Sequence, residues 1–139
     1  AELAGMRHGN GAPVVRIYGP AGTERRGGTV TLNFYDANGH FIDHPVIERR
    51  AGEHRISLRT GCFCNPGAGE LALGLSKGEL FHCMREVGEN VAHITYEDFR
   101  RCIDDKSTGA VRISFGWAST FADAEAFLAF AREMRAPAT

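Results

Sequence analysis

The chain has 139 residues, 43% hydrophobic and 24% charged, with 16 Lys+Arg against 17 Asp+Glu for a formal net charge of −1. One domain is the default at this length, and the apolar fraction argues against disorder. The near-neutral charge gives no electrostatic case for nucleic acid or an anionic membrane as partner.

No apolar run approaches the ~18 residues of a membrane helix. No secretory signal precedes the four cysteines, which are too few for a disulfide framework. A soluble, reducing, cytoplasmic setting is the expectation. Ala1–Met6 is weakly apolar and uncapped, the tail of something rather than a complete element. Pro13–Tyr18 is β-branched and aromatic and is bounded by Gly19-Pro20, which predicts a strand. A polar loop follows from Gly22 to Gly28, holding Arg25 and Arg26. Then Val30, Leu32 and Phe34 alternate with Thr29, Thr31, Asn33 and Tyr35, the strongest period-two signal in the chain, and Asp36-Ala37-Asn38-Gly39 supplies turn chemistry.

From Asp43 the period becomes helical, with Pro45 in the first turn, Val46, Ile47 and Ala51 along one face, and Gly52 as the expected stop. Ile56 and Leu58 predict a strand running into the Gly/Pro/Cys loop 59–67. Ser76 with Glu79 has capping-box spacing before Leu80, Phe81, Met84 and Val87, and Gly88 is the expected terminator. Thr95 opens a second short helix through Phe99, Cys102 and Ile103. Val111, Ile113 and Phe115 alternate with Arg112 and Ser114 as another strand. Thr120 caps a last helix with Ala124, Phe127, Leu128 and Ala131 on one face. The order β-β-α-β-loop-α-α-β-α favours an α+β fold, a mostly antiparallel sheet covered by helices.

Chemistry concentrates at Cys62-Phe63-Cys64. A thiol becomes a nucleophile as the thiolate, which cations and helix N-termini favour. Arg59 precedes Cys64 by five residues, and Asn65-Pro66 can cap a helical turn directly after it. Gly61, Gly67 and Gly69 are expected to let the loop bend. The competing reading makes both cysteines small buried hydrophobes. A metal site drawing on Cys62, Cys64, His82, Cys83, His93 and Cys102 fits no ordinary zinc spacing, and no metal is expected. Cys83 and Cys102 fall on predicted helices near apolar faces, where core packing is expected. Arg112, projecting from a strand, can hold a carboxylate through its bidentate fork, although a surface or salt-bridged arginine has the same pattern. Arg25-Arg26 reads as a solvated loop, and His8, His40, His44 and His54 offer no triad spacing. The only lysines are Lys77 and Lys106.

Arg59-Thr60-Gly61-Cys62-Phe63-Cys64-Asn65-Pro66-Gly67-Ala68 resembles the active-cysteine loop of the molybdenum cofactor sulfurase type of cysteine desulfurase. Gly109 to Thr120 resembles that family's late strand and the turn into its last helix, and the segments Pro13–Pro20 and Arg26–Phe34 match its earlier strands more loosely. The resemblance implies the small C-terminal domain of a pyridoxal-phosphate enzyme of the class V aminotransferase type. Residues 13–139 would be that domain, and residues 1–12 the tail of the connection from a large cofactor domain. It also implies that Cys64 takes sulfur from L-cysteine or a similar amino acid as a persulfide and passes it to an acceptor protein or cofactor, leaving alanine. Arg112 would bind the substrate carboxylate, with Arg59, Cys62 and Asn65 in support.

The full enzyme is expected to be a homodimer without nucleic-acid or membrane partners. Neither Lys77 nor Lys106 has the family's Schiff-base context, so no cofactor-binding residue is expected in this chain, which alone would be inactive. Two other classes stay open: a class V aminotransferase or carbon–sulfur lyase that keeps Arg112 without a persulfide step, and a free-standing thiol or metal-binding module.

Overall fold

The alternation at positions 29–35 becomes the central strand of a sheet. A computed structural model describes residues 2–20, 22–61, 66–87, 95, 98, 102 and 109–137. The chain divides into two compact units, one made of Ala1–Gly61 and Ala110–Thr139, the other of Cys62–Gly109.

In the first unit β1 (Val15–Tyr18), β2 (Thr29–Tyr35), β3 (Phe41–Ile42), β4 (Arg59–Gly61) and β5 (Ala110–Ser114) form one five-stranded sheet. The order is β1-β2-β5-β4 with β3 also on β2, and every pair is antiparallel. Two longer helices, α2 (His44–Glu53) and α5 (Phe121–Glu133), supply the helical side of the core. Leu32, Phe34 and Val111 meet Ile47, Ala51, Phe127, Phe130 and Ala131 there. The ring of Phe34 stands edge-on to Phe130 at 6.0 Å between centroids, a favoured aromatic geometry. This is the expected α+β architecture with an antiparallel sheet under helices.

The period of two explains why the other face is polar. With Val30, Leu32 and Phe34 turned toward the helices, Thr31, Asn33 and Tyr35 must face away from them. Cross-strand partners share a face, so Arg16, Tyr18 and Arg112 join that polar side.

Several boundaries differ from expectation. The first residues form a short helix, α1 (Glu2–Gly5), after which Met6 enters the core and Arg7 bridges Pro13. Gly52 does not end α2, which runs to Glu53. The left-handed residue is Arg55, at φ 58°. Its N–H bonds Gly52 O at 2.9 Å, while that of Ile56 bonds Ala51 O at 2.9 Å. These two bonds make a Schellman ending with arginine where glycine is usual. Ile56 and Leu58 precede β4 rather than opening it, yet both pack against the core. In α5 the buried stripe is Phe127, Phe130 and Ala131, with Leu128 alongside.

The second unit contains α3 (Pro66–Leu73) and α4 (Lys77–Val87). At Thr95 the N–H and the hydroxyl both donate to the Asp98 carboxylate, at 3.2 and 2.6 Å, and Asp98 N–H returns a bond to the Thr95 hydroxyl. That reciprocal cap matches the helix start read at Thr95. Phe99 and Ile103 of that expected helix, and the terminator Gly88, lie outside the described residues. The core packing expected for Cys83 and Cys102 does not include a bond between them. The two are joined by a disulfide across a Cα separation of 5.4 Å, inside the span a cystine bridges. Cys83 is buried, in keeping with the packing read for it.

Candidate functional site

The arrangement that bears on chemistry lies on the polar face of the sheet. Arg112 is the third residue of β5 and is half-buried, while its neighbours Val111 and Ile113 are buried toward the helices. The register places Arg59 directly opposite Arg112 on β4, and Thr31 opposite it on β2. Tyr18 stands opposite Thr31, so a single row, Tyr18–Thr31–Arg112–Arg59, crosses the sheet on one face. The row was not legible beforehand, because it requires the pairing of β4 with β5 across the whole second unit.

Neighbouring residues stiffen this face. The fully buried Asn33 donates its amide to the Tyr18 hydroxyl at 3.1 Å. The Arg16 guanidinium sits 5.5 Å from the centroid of the Tyr18 ring, a cation–π distance. Burial first, and then the hydrogen bond to Tyr35, push the Tyr18 hydroxyl well above the usual phenol range, so it stays protonated. One rung further along, the hydroxyls of Thr29 and Ser114 are 3.3 Å apart.

β4 is held to α2 by the Thr60 hydroxyl, which donates to Glu48 Oε2 at 2.6 Å. It ends at Gly61, whose φ of 103° belongs to glycine. Five positions later α3 begins at Pro66. Cys62, Cys64 and Asn65, three of the five residues singled out from sequence, lie outside the described residues. The other two, Arg59 and Arg112, are brought together. Of the three glycines expected to bend the loop, Gly61 has the left-handed backbone, whereas Gly67 and Gly69 lie within α3.

The remaining candidates have structural roles. Arg26 donates from Nε to Pro20 O at 3.0 Å, tying down its own loop. His8 is buried, with Nδ1 accepting from Ala136 N–H at 2.9 Å and Nε2 2.9 Å from Tyr35 O. The accepted bond at Nδ1 leaves the ring proton on Nε2 for the carbonyl, and the imidazole joins both chain ends to β2. His54 lies 3.2 Å from Glu133, and His40 lies 3.3 Å from Asp36.

Among the described residues, nothing fits pyridoxal phosphate. Lys77 is exposed at the start of α4, and Lys106 is outside the described set. Two cavities of the first unit, about 310 Å³ beside Arg7, Arg132 and Arg135 and about 260 Å³ between Arg55 and Asp123, have no lysine in their walls. No group of three or more His, Cys, Asp or Glu among the described residues could hold a metal, and the disulfide removes Cys83 and Cys102 from any such set. No helix among them is long and apolar enough to cross a membrane.

Fold and polar face together define a small α+β module with a paired-arginine face. No family model matches the chain, and no solved structure matches it. Curated relatives do. The molybdenum cofactor sulfurase of Arabidopsis thaliana is 42% identical over 133 residues, 93% of this chain and 16% of that protein. That of Bos taurus is 40% identical over 131 residues, 92% and 14% respectively. The Homo sapiens protein is 37% identical over 139 residues, 96% and 15%. The chain is a homologue of one segment of the molybdenum cofactor sulfurases, spanning 14–16% of the length of these relatives.

Proposed function

We propose that this chain serves as the C-terminal part of a sulfur-transfer enzyme of the molybdenum cofactor sulfurase kind, a pyridoxal-phosphate cysteine desulfurase whose cofactor is held outside these residues. Arg112 grips the carboxylate of L-cysteine with its two-pronged fork. The Cys64 thiolate receives the substrate sulfur, so that L-cysteine and the Cys64 thiol become alanine and a Cys64 persulfide. The persulfide sulfur then passes to an acceptor protein or cofactor.

The observation that carries the reading is the position of Arg112. It is half-buried at mid-strand, on the face away from the helical core, and in register with the first residue of the Arg59–Cys64 segment. The similarity of nearly all of this chain to one segment of molybdenum cofactor sulfurases supports a sulfur-transfer role over a transaminase without a persulfide. α3 starts at Pro66, two positions after Cys64 in sequence, and a helix N-terminus favours a nearby thiolate.

The test uses the whole protein that carries this segment. After incubation with L-cysteine, alkylation and mass spectrometry should find the persulfide on the Cys64 peptide, and Cys64→Ser should abolish it while circular dichroism stays unchanged. Arg112→Lys should raise KM for cysteine more than it lowers kcat, because an ammonium cannot reproduce the fork. Sulfur transfer that survives Cys64→Ser would overturn the assignment.

A further inference from the structure

We propose that Arg59 is a second substrate-positioning arginine, sharing one carboxylate with Arg112 across the β4–β5 pair. This rests on the reading of Arg112 given above. The two are direct partners in the antiparallel register, so their Cβ atoms stand roughly 4.5–5.5 Å apart on one face. Both side chains leave the face opposite the core, because Val111 and Ile113 occupy the core side of β5 and Thr60 turns back to Glu48 on α2. Arginine's long stem lets two guanidiniums rooted this close converge on one group.

Like charges directly opposed across a sheet disfavour the pairing. An anion placed between them reverses the sign of that interaction. A carboxylate suits the position, since its two oxygens offer about four acceptor sites, enough for a bidentate contact to one guanidinium and a further bond to the other. Exposure divides the labour. Arg112 is half-buried on the inner strand, whereas Arg59 is exposed on β4, the last strand in the order. Arg112 fixes the plane of the carboxylate, and Arg59 closes over it from the rim. The ligand class is a small carboxylate, read by two cations instead of one.

The test is a titration of the full chain, labelled with nitrogen-15, with sodium acetate against sodium chloride at matched ionic strength. The readout is the Nε–Hε resonances of the arginines. Acetate should move the Arg59 and Arg112 signals with one shared midpoint, and chloride should move neither. Arg59→Gln should weaken acetate binding at Arg112 roughly tenfold, the loss expected for one charge-assisted hydrogen bond. Arg59→Lys should recover part of that loss and guards against a variant that merely misfolds. Arg112→Gln should silence the response of Arg59. If acetate moves Arg112 alone, or Arg59 still responds in Arg112→Gln, the shared site is refuted while the role of Arg112 stands. If neither signal moves, both fall, and the persulfide on Cys64 is tested separately.

Discussion

Gly28 and Phe115 close the β2–β5 ladder just beyond the rung that pairs Thr29 with Ser114. The Phe115 N–H donates to Gly28 O at 2.6 Å, and a side chain at position 28 would run into the Phe115 carbonyl oxygen. The colliding atom is backbone, so no rotamer change relieves it. Gly28→Ala should therefore lift β5 from β2 at this end, at a cost of about 1–3 kcal/mol, as for overpacking elsewhere. Because β5 carries Arg112, the same change should weaken acetate binding there. Urea unfolding gives the first quantity and acetate titration the second. A variant with parent stability would show that the close approach is not required.

Acid should weaken the start of α5 and the β2–β3 turn. The Asp123 carboxylate accepts from the Thr120 N–H at 2.7 Å and from its hydroxyl at 2.9 Å, which holds it below its ordinary value of 3.8. Asp36 is likewise lowered, first by the His40 N–H at 2.8 Å and then by the His40 ring and the Asn38 N–H. A carboxyl more acidic in the folded than in the unfolded state adds stability above its unfolded value and loses it as pH falls through the folded one. Thermal unfolding from neutral pH down to about 2–3 should therefore show a falling midpoint. Asp123→Asn should start lower at neutral pH and fall less steeply. An unchanged acid slope in that variant would remove Asp123 from the account.

How far the sequence carried depended on whether a feature is local. β2 was read with its actual bounds because alternation over seven residues is a local pattern, and the cap at Thr120 and the pair Thr95/Asp98 are local too. Arg59 and Arg112 could each be named from the motifs around them. Their opposition could not, since it depends on which strands pair after the chain has passed through the second unit. The disulfide was missed for the same reason: Cys83 and Cys102 each looked apolar in their own helix, and only their 5.4 Å approach joins them.

The end of α2 shows a local rule broken by tertiary packing. Gly52 was the natural stop, but ending there would leave Ala51 and the chain into Ile56 in different places relative to the core they both touch. The helix continues instead, and Arg55 takes the left-handed backbone at φ 58°. That conformation costs a non-glycine residue about 1–2 kcal/mol, partly offset in a glycine variant by the greater freedom of its unfolded chain. Arg55→Gly should thus stabilise the fold by about 0.5–1 kcal/mol. Denaturant midpoints of the two proteins, at equal slope, decide it; a destabilised variant would mean that the Arg55 side chain contributes more than its backbone loses.

The Cys83–Cys102 bridge makes the second unit sensitive to reductant. It closes a sequence separation of 19 residues between α4 and the helical position 102, and a loop of that size restrains the unfolded chain by about 3 kcal/mol. Without reductant, iodoacetamide should leave Cys83 and Cys102 unmodified; after a dithiol reductant both should react. The double variant Cys83→Ala/Cys102→Ala should open the second unit to limited proteolysis at lower denaturant concentrations. The first unit keeps its own core of Leu32, Phe34 and Phe130, so its resistance should be unchanged. The separation bears on the proposed function, because positions 62–65 open the second unit while Arg112 belongs to the first. Reduction should then alter the reactivity of Cys64 and leave acetate binding at Arg112 intact. Labelling of Cys83 and Cys102 in the unreduced chain would overturn the bridge, and with it this asymmetry.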